Sequence, residues 1–339
     1  MSSKKKSYRN IQHKIPLIDF LPWQTPLSIY IDPCNLCNFK CYFCPTAHKV
    51  LLKSAQRPMG MMSMDLFKNT VDGIKFPEKI KALHLFKDGE PLLHKDIIEM
   101  IRYAKSKQIA EKVELTTNGS LLTDSLIESL VDSGLDIIRV SIEHVNDAGY
   151  KRITKTFSDY EQIKSNVKKL FGCKKAASSE MLVFVKITNV DLSESEKQKF
   201  QDDFGASCDH YNFDEVIGWS NGFHNVIKTS DKSIDGLFSL NKHRIVCPEP
   251  FKTMVVNFNG DVSVCCADWS MGIKVGNTNE ETLSAVWSGD KLKALRMLHV
   301  DGRRKEIKVC SDCQFVEGVD PISDLDAYRE KIKAALNQQ

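Results

Sequence analysis

The 339-residue chain has no long apolar run, and nothing in it approaches the roughly 20 residues that a membrane-spanning helix requires. No membrane partner is therefore expected. The lysines at positions 4–6 are not followed by an apolar stretch, so they do not read as the n-region of a signal peptide, and a solvated terminus is expected. An excess of one charge is also missing. Forty-seven Lys and Arg against 44 Asp and Glu leave a net charge of +3, so no global field favours nucleic acid or an anionic surface. Internal repeats and low-complexity segments are absent as well. A cytoplasmic location is expected, where a disulfide framework is not. With 42% hydrophobic and 27% charged residues, the composition suits one large α/β domain, with or without a smaller one.

Cysteine, by contrast, is abundant, and its eleven copies cluster. Cys34, Cys37, Cys41 and Cys44 lie near one end; Cys247, Cys265, Cys266, Cys310 and Cys313 lie near the other; Cys173 and Cys208 stand apart. Metal binding at two sites follows as the default reading. Cys37-x3-Cys41-x2-Cys44 supplies three thiolates that can hold three corners of a cubane [4Fe–4S] cluster. The fourth iron then has no ligand from this motif. An iron left open can bind a substrate or cofactor, whereas a cluster with a full set of four cysteines mainly moves electrons. Two alternatives use Cys34 as a fourth ligand: a zinc knuckle, or a complete four-cysteine cluster. Zinc favours paired cysteines separated by a longer loop, whereas these four fall within eleven residues.

From residue 27 to 218 short β-branched runs alternate with helix-like segments, the signature of a parallel sheet with helical crossovers. Strands are expected at 27–32, 81–86, 113–117, 136–142, 181–187 and 211–217. Helices are expected at 63–73, 95–107, 124–132, 160–171 and 193–204, with Ser63 as an N-cap. Residues 1–26 read as an N-terminal extension and 219–246 as a linker. A second unit, 247–320, holds a β-hairpin (253–258 and 262–264 around Asn259-Gly260-Asp261) and a helix over 282–298. A C-terminal helix is expected within 321–339.

C-x3-C-x2-C with an aromatic residue, Phe43, before its last cysteine resembles the radical S-adenosylmethionine (SAM) superfamily. The resemblance implies a partial (β/α)6 barrel and a [4Fe–4S] cluster on Cys37, Cys41 and Cys44 whose open iron chelates SAM. It also implies a 5′-deoxyadenosyl radical that abstracts hydrogen from an unactivated C–H. Asp88-Gly89-Glu90-Pro91 resembles the family's Gly-Gly-Glu-Pro loop, which binds the methionine amino group, with Asp88 where the first glycine usually stands. Phe43, Gly89, Glu90 and Pro91 are then expected SAM contacts, joined by Thr117, Asn118, Ser141, Glu143 and Asn189. These residues end successive strands at the carboxyl edge, where parallel sheets and barrels place ligands.

Cys247-x12-Gly260-x4-Cys265, followed by Cys310-x2-Cys313, resembles the SPASM extension of that superfamily. With no cysteine after Cys313, it matches the shorter twitch form: one auxiliary [4Fe–4S] cluster on Cys247, Cys265, Cys310 and Cys313. Gly276-Asn277-Thr278, Trp287 and Arg296 fall where such sequences carry similar residues. A zinc ribbon is the alternative. Cys266 reads as a ligand in place of its neighbour, a buried small hydrophobe, or a hydrogen-atom donor.

The pattern is similar to the aminocyclitol dehydrogenase type, which implies oxidation of a small polyol, sugar or amino sugar through the auxiliary cluster. Only about 26 residues precede the first strand, too few for a peptide-recognition domain. Expected partners are a small-molecule substrate and a flavodoxin- or ferredoxin-like electron donor. Epimerisation, with Cys266 or Cys208 returning a hydrogen atom, and peptide maturation are the alternatives. For a base, His144, His210, Asp214, Glu215 and Arg244 are candidates.

Overall fold

A computed structural model describes residues 15–223 and 227–338, so the basic tail lies outside the described residues. The chain runs β1 (Ser28–Ile31), α1 (Lys49–Ser54), α2 (Met64–Asp72), β2 (Ile80–His84), α3 (Ile97–Lys107), β3 (Ala110–Thr117), α4 (Asp124–Asp132) and β4 (Ile137–Ile142). It continues through α5 (Asp147–Thr154), α6 (Tyr160–Ala176), β5 (Leu182–Thr188), α7 (Glu194–Phe204) and β6 (His210–Asp214). Then come α8 (Glu249–Lys252), β7 (Thr253–Val256), β8 (Asp261–Ser263), β9 (Gly276–Asn277), α9 (Leu283–Ser288), α10 (Asp290–Val300) and α11 (Arg329–Gln338).

Local chemistry sets the helix starts. Ser63, Thr123, Asp159 and Ser193 each accept a hydrogen bond from the backbone N–H three residues on, and Ser193 with Glu196 completes a capping box. In β1 the alternation puts Ile29 and Ile31 in the apolar core, while Tyr30 on the other face stacks on His84 at 4.1 Å. The core is continuous from the strands' outer faces to the helices that cover them.

The nine strands form one open sheet in the order β6-β5-β4-β3-β2-β1-β7-β8-β9. β1 to β6 pair in parallel, as expected for a partial (β/α)6 barrel, and β8 and β9 add antiparallel edges. Beyond that expectation, β7 pairs in parallel with β1, Tyr30 opposite Val255, so the predicted hairpin extends the main sheet. The helix expected over 282–298 is two helices broken at Gly289, whose extended backbone ends α9 and starts α10. Conversely α6 runs through Gly172, where a glycine costs a helix only about 1 kcal/mol and Leu170 and Phe171 are buried. Arg296 lies over Trp287 at 4.1 Å and donates to Pro250 O, while Trp287 donates to Trp23 O, which fixes the helix pair beneath the hairpin. No helix among the described residues is long and apolar enough to cross a membrane.

Candidate functional site

The loop after β1 carries the first cysteine group and is fastened on three sides. Asn35 bonds Pro58 O (3.0 Å) and Gly60 N (2.8 Å); Lys40 N and Tyr42 N donate to Thr154 O and Ile153 O at the end of α5. Asn38 bonds Ser120 Oγ and Asn118 Nδ2 beyond β3. Within this frame Cys37, Cys41 and Cys44 sense one another electrostatically, and burial pushes all three thiols up, Cys37 to about 12. The Phe39 N–H points at Cys37 Sγ (3.4 Å). Cys34 behaves differently. Its thiol donates to Leu36 O (3.5 Å), and burial raises it to about 11, with the Asp32 and Glu90 carboxylates adding to the rise.

Gly89 is set by close approach. A Cβ there would stand 2.0 Å from Cys34 O and 2.5 Å from Leu36 O, both backbone atoms. Glu90 N donates to Leu36 O, which locks the two loops together. The Glu90, Thr117 and Asn118 side chains belong to one hydrogen-bond network. Glu90 accepts from Thr117 Oγ1 (2.7 Å), Asn118 N (2.7 Å) and Leu92 N (3.0 Å), and Asn118 bonds Asn38 and Ser120. These groups brace the loop. Asn189 is held through Nδ2 to Glu215 (3.0 Å). Glu143 differs: it is buried beside Cys41, its Oε2 has no partner, and burial raises its carboxyl to about 7. Phe43 packs edge-on against Tyr42; Pro91 is buried in the turn after Glu90; Ser141 lies at the carboxyl end of β4.

A charged cluster that the motifs do not reveal joins this loop to the hairpin. Asp88 Oδ2 accepts from Arg57 (2.7 Å) and Lys87 (2.5 Å), all three side chains being buried. Lys87 also reaches Asn257 Oδ1 (3.3 Å) and the Asp268 carbonyl (3.0 Å). Burial opposes its charge, yet Asp88 and Asp32 hold it above its ordinary value. Asp32, just past β1, is 0% exposed, and no side chain bonds either carboxylate oxygen; the Asp88 amide is its nearest backbone donor. A buried carboxylate at a strand's carboxyl end is the signal that could have marked it in the sequence.

At the other site Cys247, Cys265, Cys310 and Cys313 line one cavity with Ser220, Glu249, His299 and Arg304. Asp268 folds the loop after Cys265 by accepting from Ser263, Ser270, Gly272 N and Ile273 N. Arg304 donates to Cys310 O at 2.6 Å. Asn277 and Thr278 close the hairpin turn through Asp261 Oδ1 and Gly260 O. Cys266 is outside the cavity lining; its neighbours are Glu249, Lys252, Lys87 and Asp88, and burial raises it to about 12.

Two expected catalytic residues are misplaced for that role. His210 opens β6, four residues or about 13 Å below the strand's carboxyl end. Cys208 precedes even that residue and is 0% exposed in the apolar core, so neither reaches the edge that carries the cysteine loop. His144, though past β4, is pinned under Gly149 of α5 and contacts Arg152 (3.2 Å) and Glu196 (3.4 Å).

Both donor sets fit iron–sulfur clusters. They consist of soft thiols, buried or half-buried, three in the loop after β1 and four around a cavity at the other site. Among the described residues no three His, Cys, Asp or Glu side chains converge closely enough for a single metal ion. A cluster, whose irons each take one thiolate, suits that spread better than one zinc ion.

A family model described as the radical SAM superfamily matches residues 31–197, and the SPASM iron–sulfur cluster-binding domain matches residues 247–314. The chain thus carries a radical SAM domain followed by a SPASM domain; its cofactors are SAM and iron–sulfur clusters. Among individual relatives, a probable GTP 3′,8-cyclase of Methanocaldococcus jannaschii is 35% identical over 42% of this chain and 44% of its own length. The chain thus spans less than half of that relative. The SAM-dependent 2-deoxy-scyllo-inosamine dehydrogenase of Niallia circulans is 22% identical over 85% of this chain and 92% of its own length. Among solved structures, BtrN in complex with AdoMet and 2-DOIA shares the fold with a TM-score of 0.53, at 17% identity over 85% of this chain and 93% of its own. Streptococcus suis SuiB bound to S-adenosylmethionine does so with a TM-score of 0.64, at 16% identity over 91% and 75%.

Proposed function

We propose that this chain is a radical SAM dehydrogenase that oxidises an alcohol carbon of a small polyol, sugar or amino sugar. The observation that carries this reading is the single cavity lined by Cys247, Cys265, Cys310 and Cys313, a place for one auxiliary cluster beside the barrel. The relative matched over nearly its full length is named as an aminocyclitol dehydrogenase, which favours the same class of substrate. When bound, SAM and its cluster supply a carbon-centred radical that takes a hydrogen atom, and the auxiliary cluster supplies an acceptor for the one electron left behind.

The chain's own residues divide the remaining tasks. Cys37, Cys41 and Cys44 hold the first cluster, and Cys34, bonded to Leu36 O, leaves its fourth iron open. The backbone of the Gly89 loop, braced by Glu90, receives the methionine end of SAM; Ser141, Glu143 and Asn189 face its sugar. The hydroxyl proton of the substrate goes to Asp32, which lies just past β1, the strand between the SAM loop and the hairpin, and has no side-chain partner of its own. A flavodoxin- or ferredoxin-like carrier reduces the first cluster.

The test is turnover of anaerobically reconstituted enzyme, loaded with about eight irons, on candidate aminocyclitols in deuterated water. A product two hydrogens lighter, free of solvent deuterium at the oxidised carbon and matched by 5′-deoxyadenosine, supports dehydrogenation. A product of inverted configuration, about one mass unit heavier because it carries one solvent deuterium at carbon, and lost in Cys266→Ser, would establish epimerisation instead.

A further inference from the structure

The cavity of the second cysteine group holds one polar side chain that the fold leaves without a partner. His299, in the last turn of α10, is 1% exposed and lines the cavity with Cys247, Cys265, Cys310 and Cys313. Neither Nδ1 nor Nε2 has a hydrogen-bond partner. The other polar side chains of the lining are committed. Ser220 donates to Ala267 O (2.6 Å), Glu249 accepts from Thr253 Oγ1 (2.9 Å), and Arg304 donates to Cys310 O (2.6 Å). An imidazole carries at least one N–H to donate in either charge state. Burying that donor unpaired is unfavourable, and the four cysteine sulfurs that line the same cavity are acceptors in reach of the site.

We propose that His299 donates its N–H to a sulfur of the auxiliary cluster or of a ligating cysteine, and thereby raises the cluster's reduction potential. This rests on the auxiliary-cluster reading above. The sign follows from charge. Reduction adds one negative charge to the cluster, a donor hydrogen bond to sulfur stabilises the more negative state more strongly, and so reduction becomes easier. An acceptor poised in this way takes an electron from the substrate more readily. His299 is thus a positioning and tuning residue, not a catalytic one.

The experiment uses the full-length chain carrying Cys37→Ala, Cys41→Ala and Cys44→Ala, so that only the second site can load. Midpoint potentials are measured by spin-resonance titration in this background and with His299→Leu or His299→Gln added. The expected result is a midpoint lowered in His299→Leu by about tenfold in the one-electron equilibrium, or ~59 mV. His299→Gln, which keeps an N–H, retains most of the parent value. In the metal-free state His299→Leu should melt at or above the parent temperature, since it no longer buries an unpartnered ring; this separates tuning from a folding defect. A loaded cluster with the same midpoint in parent and His299→Leu overturns the proposal, as does strong nitrogen coupling showing the ring bound to iron. Failure of the background chain to take up iron would sink the auxiliary-cluster reading itself.

Discussion

Replacing Asp32 by Asn tests the electrostatics of the barrel's carboxyl edge without any cofactor present. In the metal-free protein, burial first and the Asp88 charge second push the Asp32 carboxyl up to about 7; Lys87 and Arg57 pull it back only partially. The unfolded chain titrates near its ordinary value of about 3.9. The folded state therefore binds the proton more tightly. Asp32 adds to stability fully below about pH 4, and that contribution is lost as pH rises through about 7. A shift of about three units corresponds to ~4 kcal/mol, and relaxation of a coupled buried group brings the realistic range to about 2–4 kcal/mol. Asn has nearly the same shape and no charge to bury. Metal-free Asp32→Asn should therefore be more stable than the parent at pH 8 by about 2–4 kcal/mol, with the gain disappearing by about pH 4. Urea unfolding at pH 5, 6, 7 and 8 measures the difference directly. A gain that does not grow with pH, or a loss at pH 8, would refute a strained, ionised Asp32. In the reconstituted enzyme the same variant should bind SAM normally yet lose product formation by roughly 100-fold, as expected for removal of a proton acceptor.

The Gly89→Ala variant must push two backbone segments apart, because its Cβ meets Cys34 O and Leu36 O at 2.0 and 2.5 Å; SAM affinity by equilibrium dialysis should fall at least about tenfold, with about 3 kcal/mol lost from metal-free stability. Lys87→Met leaves Asp88 with Arg57 alone and strips Asn257 Oδ1 and the Asp268 carbonyl of a donor, so denaturant titration should show a loss of about 3–5 kcal/mol. Cys34→Ser should leave iron content unchanged, whereas Cys44→Ser should lose about four irons per chain by colorimetric assay. Equal losses in the two variants would make Cys34 a ligand.

Much of the barrel was legible because its signals are local. Thr123 before an amphipathic run marks α4 over Asp124–Asp132, and Ser193 with Glu196 marks the start of α7. Cysteine spacing marked both thiol groups for the same reason. What stayed hidden depends on contacts between distant segments. Nothing near Thr253 announces that it will pair with Ser28, more than two hundred residues earlier. Arg57, Asp88 and Asp268 meet only after three loops have been folded, and His299 reads simply as one more polar residue near the end of a helix. The bonds of Glu90 were hidden in the same way: its carboxylate accepts from Leu92 N, Thr117 Oγ1 and Asn118 N, the last 28 residues further along the chain. The sequence identifies a residue type at a strand end; only the hydrogen-bond count decides whether its side chain is still available.

The pairing of β7 with β1 has a consequence for how two cofactor sites can serve one substrate. If the hairpin were a separate unit on a flexible linker, the distance between the two thiol groups would vary with its motion. As the strand next to β1, it is instead tied into the ladder that carries the first cysteine loop. Lys87 then crosses over the end of β1, from the SAM loop to Asn257 and Asp268, and does so from a buried position. Asp32 therefore lies between the Gly89 loop on one side and the loop that carries Cys265 on the other. In the dehydrogenation proposed above, hydrogen removal and electron withdrawal act on the same carbon, so a rigid frame between their agents favours both steps in one bound geometry. The glycine-to-aspartate departure at position 88 belongs to this frame. Asp88 supplies the charge that keeps Lys87 buried and directed across the strand.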